Sequence, residues 1–330
     1  IWWHCAFEFS GKEGALLTRP RVVSMMTSFY LSQVSRRLVS LIFAGILSVA
    51  AFNAAAEPAD VLIDHPLAGS IWSNFTKQLT TVDDVIAAAE RAEVLLLGEK
   101  HDNATHHQLQ AALIDRIAAS GKRTGLVWEM IEPTKDHVLA DAHNTGAAAL
   151  GSALSWTDSG WPDWLEYAPI AAAALRNGVT MHGAALSRRQ VRGLLGKEIA
   201  ITQLVQRTLD ASRRDALLDQ LEASHCGAVP RTALAGMADV QMARDAALAR
   251  AVSKMIADKT YPVVITGGGH ARRDRGVPWH LPRRTTLVVA FVEVQRGEEN
   301  PALYLDQGSA DFIWFTPRVD EKDPCLRFRR

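Results

Sequence analysis

The chain has 330 residues, in which 36 Lys and Arg balance 36 Asp and Glu, and 48% of the residues are hydrophobic. This composition excludes a disordered chain, and the length suffices for one large domain or two small ones without a disulfide or metal scaffold. The lack of a basic excess argues against a nucleic-acid-binding protein. Three cysteines are too few for a cysteine-rich framework or a four-cysteine zinc site.

The first 56 residues carry a pattern typical of export rather than of a folded domain. Residues 1–25 show no clear periodicity and are interpreted as an upstream extension. Arg36 and Arg37 then precede an apolar run at 38–52 and three alanines, which is the order of a signal peptide at 26–56. The apolar run is shorter than the roughly 20 residues that span a bilayer, and no lipoprotein cysteine follows it. We therefore expect a periplasmic or secreted protein that is not lipid-anchored.

Two cysteines remain after the predicted signal peptide, Cys226 and Cys325. In an oxidising compartment they could form a disulfide, and two unpaired thiols are the equal alternative. The sequence supplies no distance between them, so the choice stays open at this point.

Apolar runs and helical periodicities alternate along the rest of the chain. Strands are predicted at 93–97, 125–130, 179–186, 261–266, 285–294 and, as an edge strand, 312–315. Helices are predicted at 103–120, from 133, at 162–178 and through 187–258 with a break at 227–230, whereas 144–160 reads as irregular. This alternation predicts an α/β fold with a mainly parallel sheet flanked by helices. The long helical segment at about 187–258 predicts a small helical subdomain beside the sheet.

Ionisable residues follow three of the predicted strands. Glu99 and His101 follow the first strand, Glu129 ends the second, and His270 follows the fourth after three glycines. Because the carboxyl ends of parallel strands open at one edge of a sheet, we expect the four side chains to converge on a common cleft. Carboxylate and imidazole groups suit a divalent metal and also general acid–base catalysis. Taken singly, each is better explained as a capping carboxylate or a loop histidine; together they predict a site.

Two polar groups on predicted helices have alternative explanations. His106 and His107 are adjacent on a helix, so they point in different directions and are expected on a solvated face. Gln241, Arg244 and Asp245 share one helical stripe. They either contact the strand-end site or form an intrahelical pair, and the second is the more common arrangement.

An aromatic stripe formed by Trp161, Trp164 and Tyr167 lies at a spacing that is more typical of a core than of a cofactor site. Tyrosine and histidine are nevertheless among the axial ligands of haem iron. The chain has no Cys-x-x-Cys-His for covalent haem attachment and no Gly-x-Ser-x-Gly for a serine hydrolase.

Taken in order, the motifs resemble those of the ChaN-like haem-binding uptake proteins of the Tiki superfamily. The resemblance covers about residues 80–295 and keeps the order of the family's motifs. The matching segments are Leu95–Asn103 with His106 and His107, Glu129–Met130, Trp164–Pro169, His225–Gly227, Gln241–Ala249 and Ile265–Pro278.

The resemblance implies one ChaN-like α/β domain at 57–330, with its core at about 80–295. It also implies haem as the cofactor, a role in haem or iron uptake, other uptake components as partners, and a homodimer bridged by haem. Some members of the family are membrane-anchored lipoproteins, but this chain lacks the cysteine that would carry the lipid.

Three functional hypotheses follow. In a haem-binding protein, Tyr167 is the first expected iron ligand, with His101 and His270 near the same edge. In a hydrolase like the Tiki proteases and erythromycin esterases of the wider superfamily, Glu99, His101, Glu129 and His270 would be catalytic or would hold a divalent metal. The third hypothesis is a non-catalytic interaction module.

Overall fold

The computed structural model describes residues 61–306 and 308–328. The predicted upstream extension at 1–25 and the predicted signal peptide at 26–56 lie outside these residues. Within the described ranges, no helix is both long and apolar enough to cross a membrane.

Eight strands in the described residues form a single sheet in the order β2-β1-β8-β7-β3-β6-β4-β5. The six strands from β8 to β5 are parallel to one another, and the hairpin of β1 and β2 joins them in antiparallel orientation. The mainly parallel α/β fold predicted from the sequence is therefore confirmed. The strands are β1 (Ile71–Ser73), β2 (Gln78–Thr80), β3 (Val94–Glu99), β4 (Thr124–Trp128), β5 (Thr180–Gly183), β6 (Tyr261–Gly267), β7 (Thr286–Glu293) and β8 (Phe312–Thr316).

Helices connect the parallel strands and cover the sheet. The predicted irregular stretch at 144–160 contains parts of two short helices and a 3₁₀ turn. The α-helices are α1 (Val82–Arg91), α2 (Ala104–Ala119), α3 (Asp136–Ala140), α4 (Ala142–Thr145), α5 (Leu150–Leu154), α6 (Trp164–Arg176), α7 (Arg188–Leu195), α8 (Ala211–Ser224), α9 (Arg231–Ala257) and α10 (Gly268–Ala271). The 3₁₀ turns are Pro133–Lys135, Trp156–Asp158, Ile201–Gln203, Val277–His280, Pro301–Leu303 and Pro324–Phe328.

Strand β3 is central to the fold, and all six of its residues are buried. Its side chains alternate between the two faces of the sheet, as the two-residue period of a strand requires. Leu95 and Leu97 pack into the apolar cluster that includes α1, α2 and α6, whereas Leu96 packs into the cluster that includes the second half of α9. Burial on both faces explains why this strand reads as a continuous apolar run.

The helical segment predicted at about 187–258 contains α7, α8 and α9, with a break between α8 and α9 near Gly227. These helices share their own apolar cluster, which includes Leu194, Leu217 and Leu234. A disulfide joins Cys226, next to the break, to Cys325 near the end of the described chain, with Cα atoms 5.7 Å apart. Of the two alternatives left open by the sequence, the structure thus contains the disulfide.

The expectation that Phe312–Phe315 forms an edge strand is wrong. Strand β8 lies inside the sheet, with β7 on one side and β1 on the other. The short hairpin of β1 and β2 covers its second edge through the register Ile71–Trp314. The hairpin strands have three residues each, which is too short for a periodicity to be recognised in the sequence.

Candidate functional site

The carboxyl ends of three neighbouring strands carry the site. Strand β6 is inserted between β3 and β4, although it follows them by more than a hundred residues in the chain. Glu99 at the end of β3 lies opposite Gly267 at the end of β6, and Trp128 of β4 lies opposite Ile265. The residues that follow these positions therefore meet at one edge of the sheet, as expected from the strand-end pattern.

Glu99 is buried and binds His101. Its Oε1 atom lies 2.8 Å from His101 Nδ1, and the Tyr167 hydroxyl lies 3.2 Å from the same oxygen. Nε2 of His107 lies 3.0 Å from Glu99 Oε2, at ion-pair distance but outside hydrogen-bond angles. Burial alone would raise the pKa of Glu99, but the neighbouring His107 and His101 outweigh it and lower the pKa to about 2. The carboxyl group is therefore ionised at neutral pH.

Glu129 and Asp245 enclose His270. Nε2 of His270 lies 3.1 Å from Glu129 Oε1, and Nδ1 lies 2.6 Å from Asp245 Oδ1. The other oxygen of Glu129 accepts hydrogen bonds from the Thr266 hydroxyl at 2.7 Å and the Gly267 N–H at 2.8 Å. Burial lowers the pKa of His270, but the two carboxylates outweigh burial and raise it to about 9. The buried imidazole is therefore held as a cation.

His101 connects the two halves of the site, because its Nε2 atom lies 4.0 Å from Glu129 Oε2. Only a glycine fits beside it, since a Cβ atom at Gly267 would lie 2.7 Å from His101 Nε2. Imidazoles and carboxylates thus alternate through six buried side chains. In spatial order they are His107, Glu99, His101, Glu129, His270 and Asp245.

The structure brings Glu99, His101, Glu129 and His270 together, and they differ in access. His101 is the most exposed of the four at 8%, and His270 is fully buried. Nε2 of His101 has no hydrogen-bond partner among the described residues, whereas both ring nitrogens of His270 are engaged. Access for a ligand therefore centres on His101. The roles predicted for the four residues stay predictions.

Tyr167, the first expected iron ligand, lies next to His101 but beneath the surface of the site. Its side chain is fully buried, packs against the ring of His107 and contacts Glu99 and the carbonyl oxygen of His101. Burial and the adjacent Glu99 raise the pKa of the phenol well above its ordinary value. The hydroxyl is therefore neutral and engaged within the site, and the role of Tyr167 as an iron ligand stays a prediction.

The donor set does not fit the divalent metal that was expected at Glu99, His101, Glu129 and His270. In the part of the chain that the structure describes, no three His, Cys, Asp or Glu side chains are arranged to hold a metal ion. Glu99 contacts His101 and Glu129 contacts His270, so the four groups bind one another in pairs rather than pointing together at one ion position. We therefore derive no step through a divalent metal.

The expectation of a solvated face for His106 and His107 is wrong, since both are fully buried. His106 accepts a hydrogen bond from the Lys100 N–H at 2.9 Å and contacts the Thr316 hydroxyl at 2.8 Å. Burial lowers its pKa to about 3, which makes it a neutral structural group. His107 lies three and seven residues before Gln110 and Ile114 on the buried face of α2, and that spacing is the signal that could have identified it.

Gln241 and Asp245 of α9 contact His270, so the less common of the two explanations for this polar stripe is the observed one. Burial raises the pKa of Asp245 to about 6 despite the opposing effect of His270. Helix α9 packs against β6. Gln241 and Asp245 lie on its buried side and therefore reach His270, which follows β6. Neither residue had been assigned a specific role from the sequence.

A cavity of about 230 Å³ opens beside the site, and we call it the strand-end cavity. It lies between the ends of β3, β6 and β7 and the loop before β8. Its lining includes Glu99, Lys100, His101, Gly268 and Arg272. His101 therefore has access to a space in which a ligand can be held.

The free energy of unfolding is expected to fall as the pH rises from about 6.5 towards 9. His270 has a pKa of about 9 in the folded chain against an ordinary value of 6.5, so its stabilisation is fully present below pH 6.5 and is lost as the pH passes 9. One proton gives a slope of at most about 1.4 kcal/mol per pH unit. Urea unfolding at a series of pH values measures this slope. If the free energy of unfolding of His270→Gln fell with pH as steeply as that of the wild type, the raised pKa of His270 would be contradicted.

Among solved structures, the fold is similar to that of ChaN from Campylobacter jejuni, described as showing cofacial haem binding. The TM-score is 0.60 at 20% identity, over 74% of this chain and 95% of that chain, which establishes the fold alone. The type III effector HopBA1 has a TM-score of 0.45 at 17% identity, over 72% of this chain and 93% of its own. An erythromycin esterase mutant in its open conformation has a TM-score of 0.39 at 13% identity, over 77% and 84%. These last two likenesses are too distant to support an argument.

No curated protein matches the chain. The model of the family described as haem-binding uptake, Tiki superfamily, ChaN matches residues 85–281, which is more than half of the sequence. The match includes Glu99, His101, Glu129 and His270 together with the helices that hold them. The chain belongs to the ChaN family of haem-binding uptake proteins in the Tiki superfamily.

Proposed function

We propose that this chain is an exported haem-binding protein that takes part in haem or iron uptake, with His101 as the iron ligand. One observation carries the ligand assignment. Glu99 fixes the Nδ1 side of the imidazole at 2.8 Å, while Nε2 is without a hydrogen-bond partner in the described residues, and His101 is one of the residues that line the strand-end cavity. A carboxylate on one ring nitrogen is the usual support for a histidine that binds metal through the other.

The surroundings of His101 fit the flat face of a haem. The indole ring of Trp161 packs against the imidazole with ring centroids 4.7 Å apart. Leu165, four residues after Trp161 in the chain, is 65% exposed. Aromatic and aliphatic surface of this kind suits a porphyrin face. The strand-end cavity is smaller than the roughly 300 Å³ at which pockets for drug-sized ligands begin, so the macrocycle would lie at its mouth rather than inside.

A haem held at the mouth of the cavity leaves its second face open. The cofacial haem binding of ChaN from Campylobacter jejuni supports a proposal that two copies of this chain close over their haems. We therefore propose a haem-dependent homodimer. Export to an oxidising compartment is supported by the disulfide between Cys226 and Cys325, because disulfides are rare in the cytosol.

The His101→Ala variant is expected to lose at least about tenfold in haem affinity, since the remaining contacts are apolar and supply no iron ligand. Absorbance titration of the purified protein with ferric haem measures the Soret shift. His143→Ala is the matched control, because His143 is an exposed histidine on α4. Tyr167→Phe is expected to titrate like the wild type.

Two results would count against the proposal. Equal titrations of His101→Ala and wild type would exclude His101 as the ligand. The absence of a saturable Soret shift in the wild type would exclude haem binding itself. Sedimentation velocity with and without haem tests the homodimer, which is rejected if the mass is unchanged by haem.

A hydrolase is the second candidate, and the pairing of Glu99 with His101 favours it. A carboxylate that orients an accessible imidazole is the arrangement of a general base. The contacts with Glu99 and Glu129 raise the pKa of His101 although burial opposes this, so the imidazole is a stronger base than it would be without them. A screen of ester and peptide substrates tests this candidate, and equal rates for the wild type and Glu99→Gln would remove it.

A further inference from the structure

We propose that the strand-end cavity binds a carboxylate group carried on an apolar body. Two kinds of molecule carry such a carboxylate: a bound haem, through its propionate arm, and a free small carboxylic acid. For the first source the inference rests on the proposed haem binding; for the second it does not.

The charged side chains that line the cavity are mostly cationic. Lys100, His101 and Arg272 line it, against a single acidic lining residue, Glu99, which is already bound to His101. The acids that hold the two longer cations do not line the cavity. Asp102 and Glu293 pair with Lys100, and Asp274 and Asp306 pair with Arg272.

Arg272 keeps donors for a ligand. Its Nε and Nη2 atoms donate to Asp274 and Asp306, while Nη1 makes no hydrogen bond to any residue of the described chain. The guanidinium group has five N–H donors in a fixed plane. The acidic partners therefore fix the orientation of the group without using all of its donors. An entering carboxylate would meet a preorganised cation.

Ser309 supplies an independent indication of a ligand. The residue is 3% exposed and lines the cavity, yet its Oγ atom has no hydrogen-bond partner within the described ranges. A buried hydroxyl without a partner is costly and uncommon in folded proteins. A carboxylate oxygen in the cavity would accept its hydrogen bond. Arg272 and Ser309 both line the cavity, and both favour a carboxylate as the ligand group.

The rest of the wall defines the body of the ligand. Val288, Ala290 and Val292 line the cavity at alternate positions of β7, and Leu305 and Ala310 belong to the loop before β8. The volume of about 230 Å³ admits a propionate arm or a small acid with an aromatic or short aliphatic body, but not a macrocycle. The ligand class is therefore a small acid group on an apolar carrier.

Gly268 offers a variant that narrows the cavity without disturbing the fold. It lines the cavity, and a Cβ atom added there would have its nearest neighbour, the Glu99 carbonyl oxygen, at 3.6 Å, which is ordinary contact. Gly268→Ala therefore tests the cavity even if a variant of Arg272 fails to fold. Arg284, which pairs with Glu93 away from the cavity, supplies the control for loss of a cation.

The experiment compares acids with their neutral analogues on the full-length protein. Calorimetric titration with 3-phenylpropionate against 3-phenylpropanol tests the free acid, and fluorescence titration with metal-free protoporphyrin IX against its dimethyl ester tests the propionate. We expect at least one acid to bind about tenfold more tightly than its neutral analogue. We expect this preference to fall about tenfold in Arg272→Gln, Ser309→Ala and Gly268→Ala, and to be kept in Arg284→Gln.

The outcomes separate this inference from the proposed function. Equal binding of each acid and its neutral analogue, or no binding of any of them, overturns the inference even if ferric haem still gives a Soret shift. Loss of the preference in Arg284→Gln to the same extent as in Arg272→Gln also overturns it. Preferential binding of 3-phenylpropionate by a protein that fails to bind haem supports the cavity and removes only the haem source.

Discussion

The Glu129→Ala variant is expected to have a free energy of unfolding about 3–5 kcal/mol below that of the wild type. Removal of this carboxylate takes away one of the two carboxylates that contact the fully buried His270. It also leaves the Thr266 hydroxyl and the Gly267 N–H without the oxygen that now accepts their hydrogen bonds. A buried cation that has lost one of its two carboxylates, together with two donors that have lost their acceptor, makes this the most damaging single truncation expected in the site.

Urea denaturation at neutral pH, followed by far-ultraviolet circular dichroism, measures the loss. Glu299→Ala is the matched control, because Glu299 is exposed and its truncation is expected to change stability by no more than about 0.5 kcal/mol. A Glu129→Ala variant as stable as this control would show that the buried contacts of Glu129 contribute nothing to folding.

The double variant Cys226→Ser with Cys325→Ser is expected to be less stable than the oxidised wild type by about 2–4 kcal/mol. The disulfide closes a loop across a sequence separation of 99 residues. Such a loop restricts the unfolded chain strongly, and the loss of that restriction favours unfolding. The bond also ties the C-terminal segment to the break between α8 and α9, so cleavage by a protease after β8 is expected to accelerate.

Reduction supplies an internal control for the disulfide. Dithiothreitol is expected to lower the urea midpoint of the wild type to that of the double variant and to leave the double variant unchanged. Equal midpoints for the oxidised wild type and the double variant would refute a stabilising disulfide. A shift of the double variant on reduction would show that the reagent acts elsewhere.

The alternating chain of imidazoles and carboxylates links the two halves of the candidate site. Each imidazole lies next to a carboxylate along this chain, which allows six ionisable side chains to share a buried region. His101 lies in the middle of this chain and lines the strand-end cavity as well. The buried residues on either side can therefore hold this imidazole in place for a ligand, whether it binds iron or accepts a proton.

Much of the fold followed from local patterns. The apolar run before Gly98 predicted strand β3, and the helix predicted at 103–120 is α2, which Asn103 caps by accepting a hydrogen bond from the His106 N–H. The convergence of Glu99, His101, Glu129 and His270 also followed from the sequence, because parallel strands place their carboxyl ends at one edge. These successes share a cause: each depends on the direction and period of a single element.

The failures share a different cause. The sequence does not show that α6 packs the Tyr167 side chain beneath Glu99 and His101. His107 was expected in solvent, although α2 turns it towards Glu99. For both residues, the groups around the side chain depend on how its helix packs on the sheet. Local periodicity gives the faces of a helix but not the polar partner that a face will meet.

The sequence by itself determined the alternation of strands and helices, the motifs of the ChaN family and the four strand-end residues, because these depend on local period and on residue identity. Only the tertiary structure decided that β6 lies between β3 and β4, that Asp245 completes the contacts of His270, and that Cys226 meets Cys325. The physical reason is that strand order and helix docking are set by the burial of apolar surface over the whole chain. No single segment contains that information.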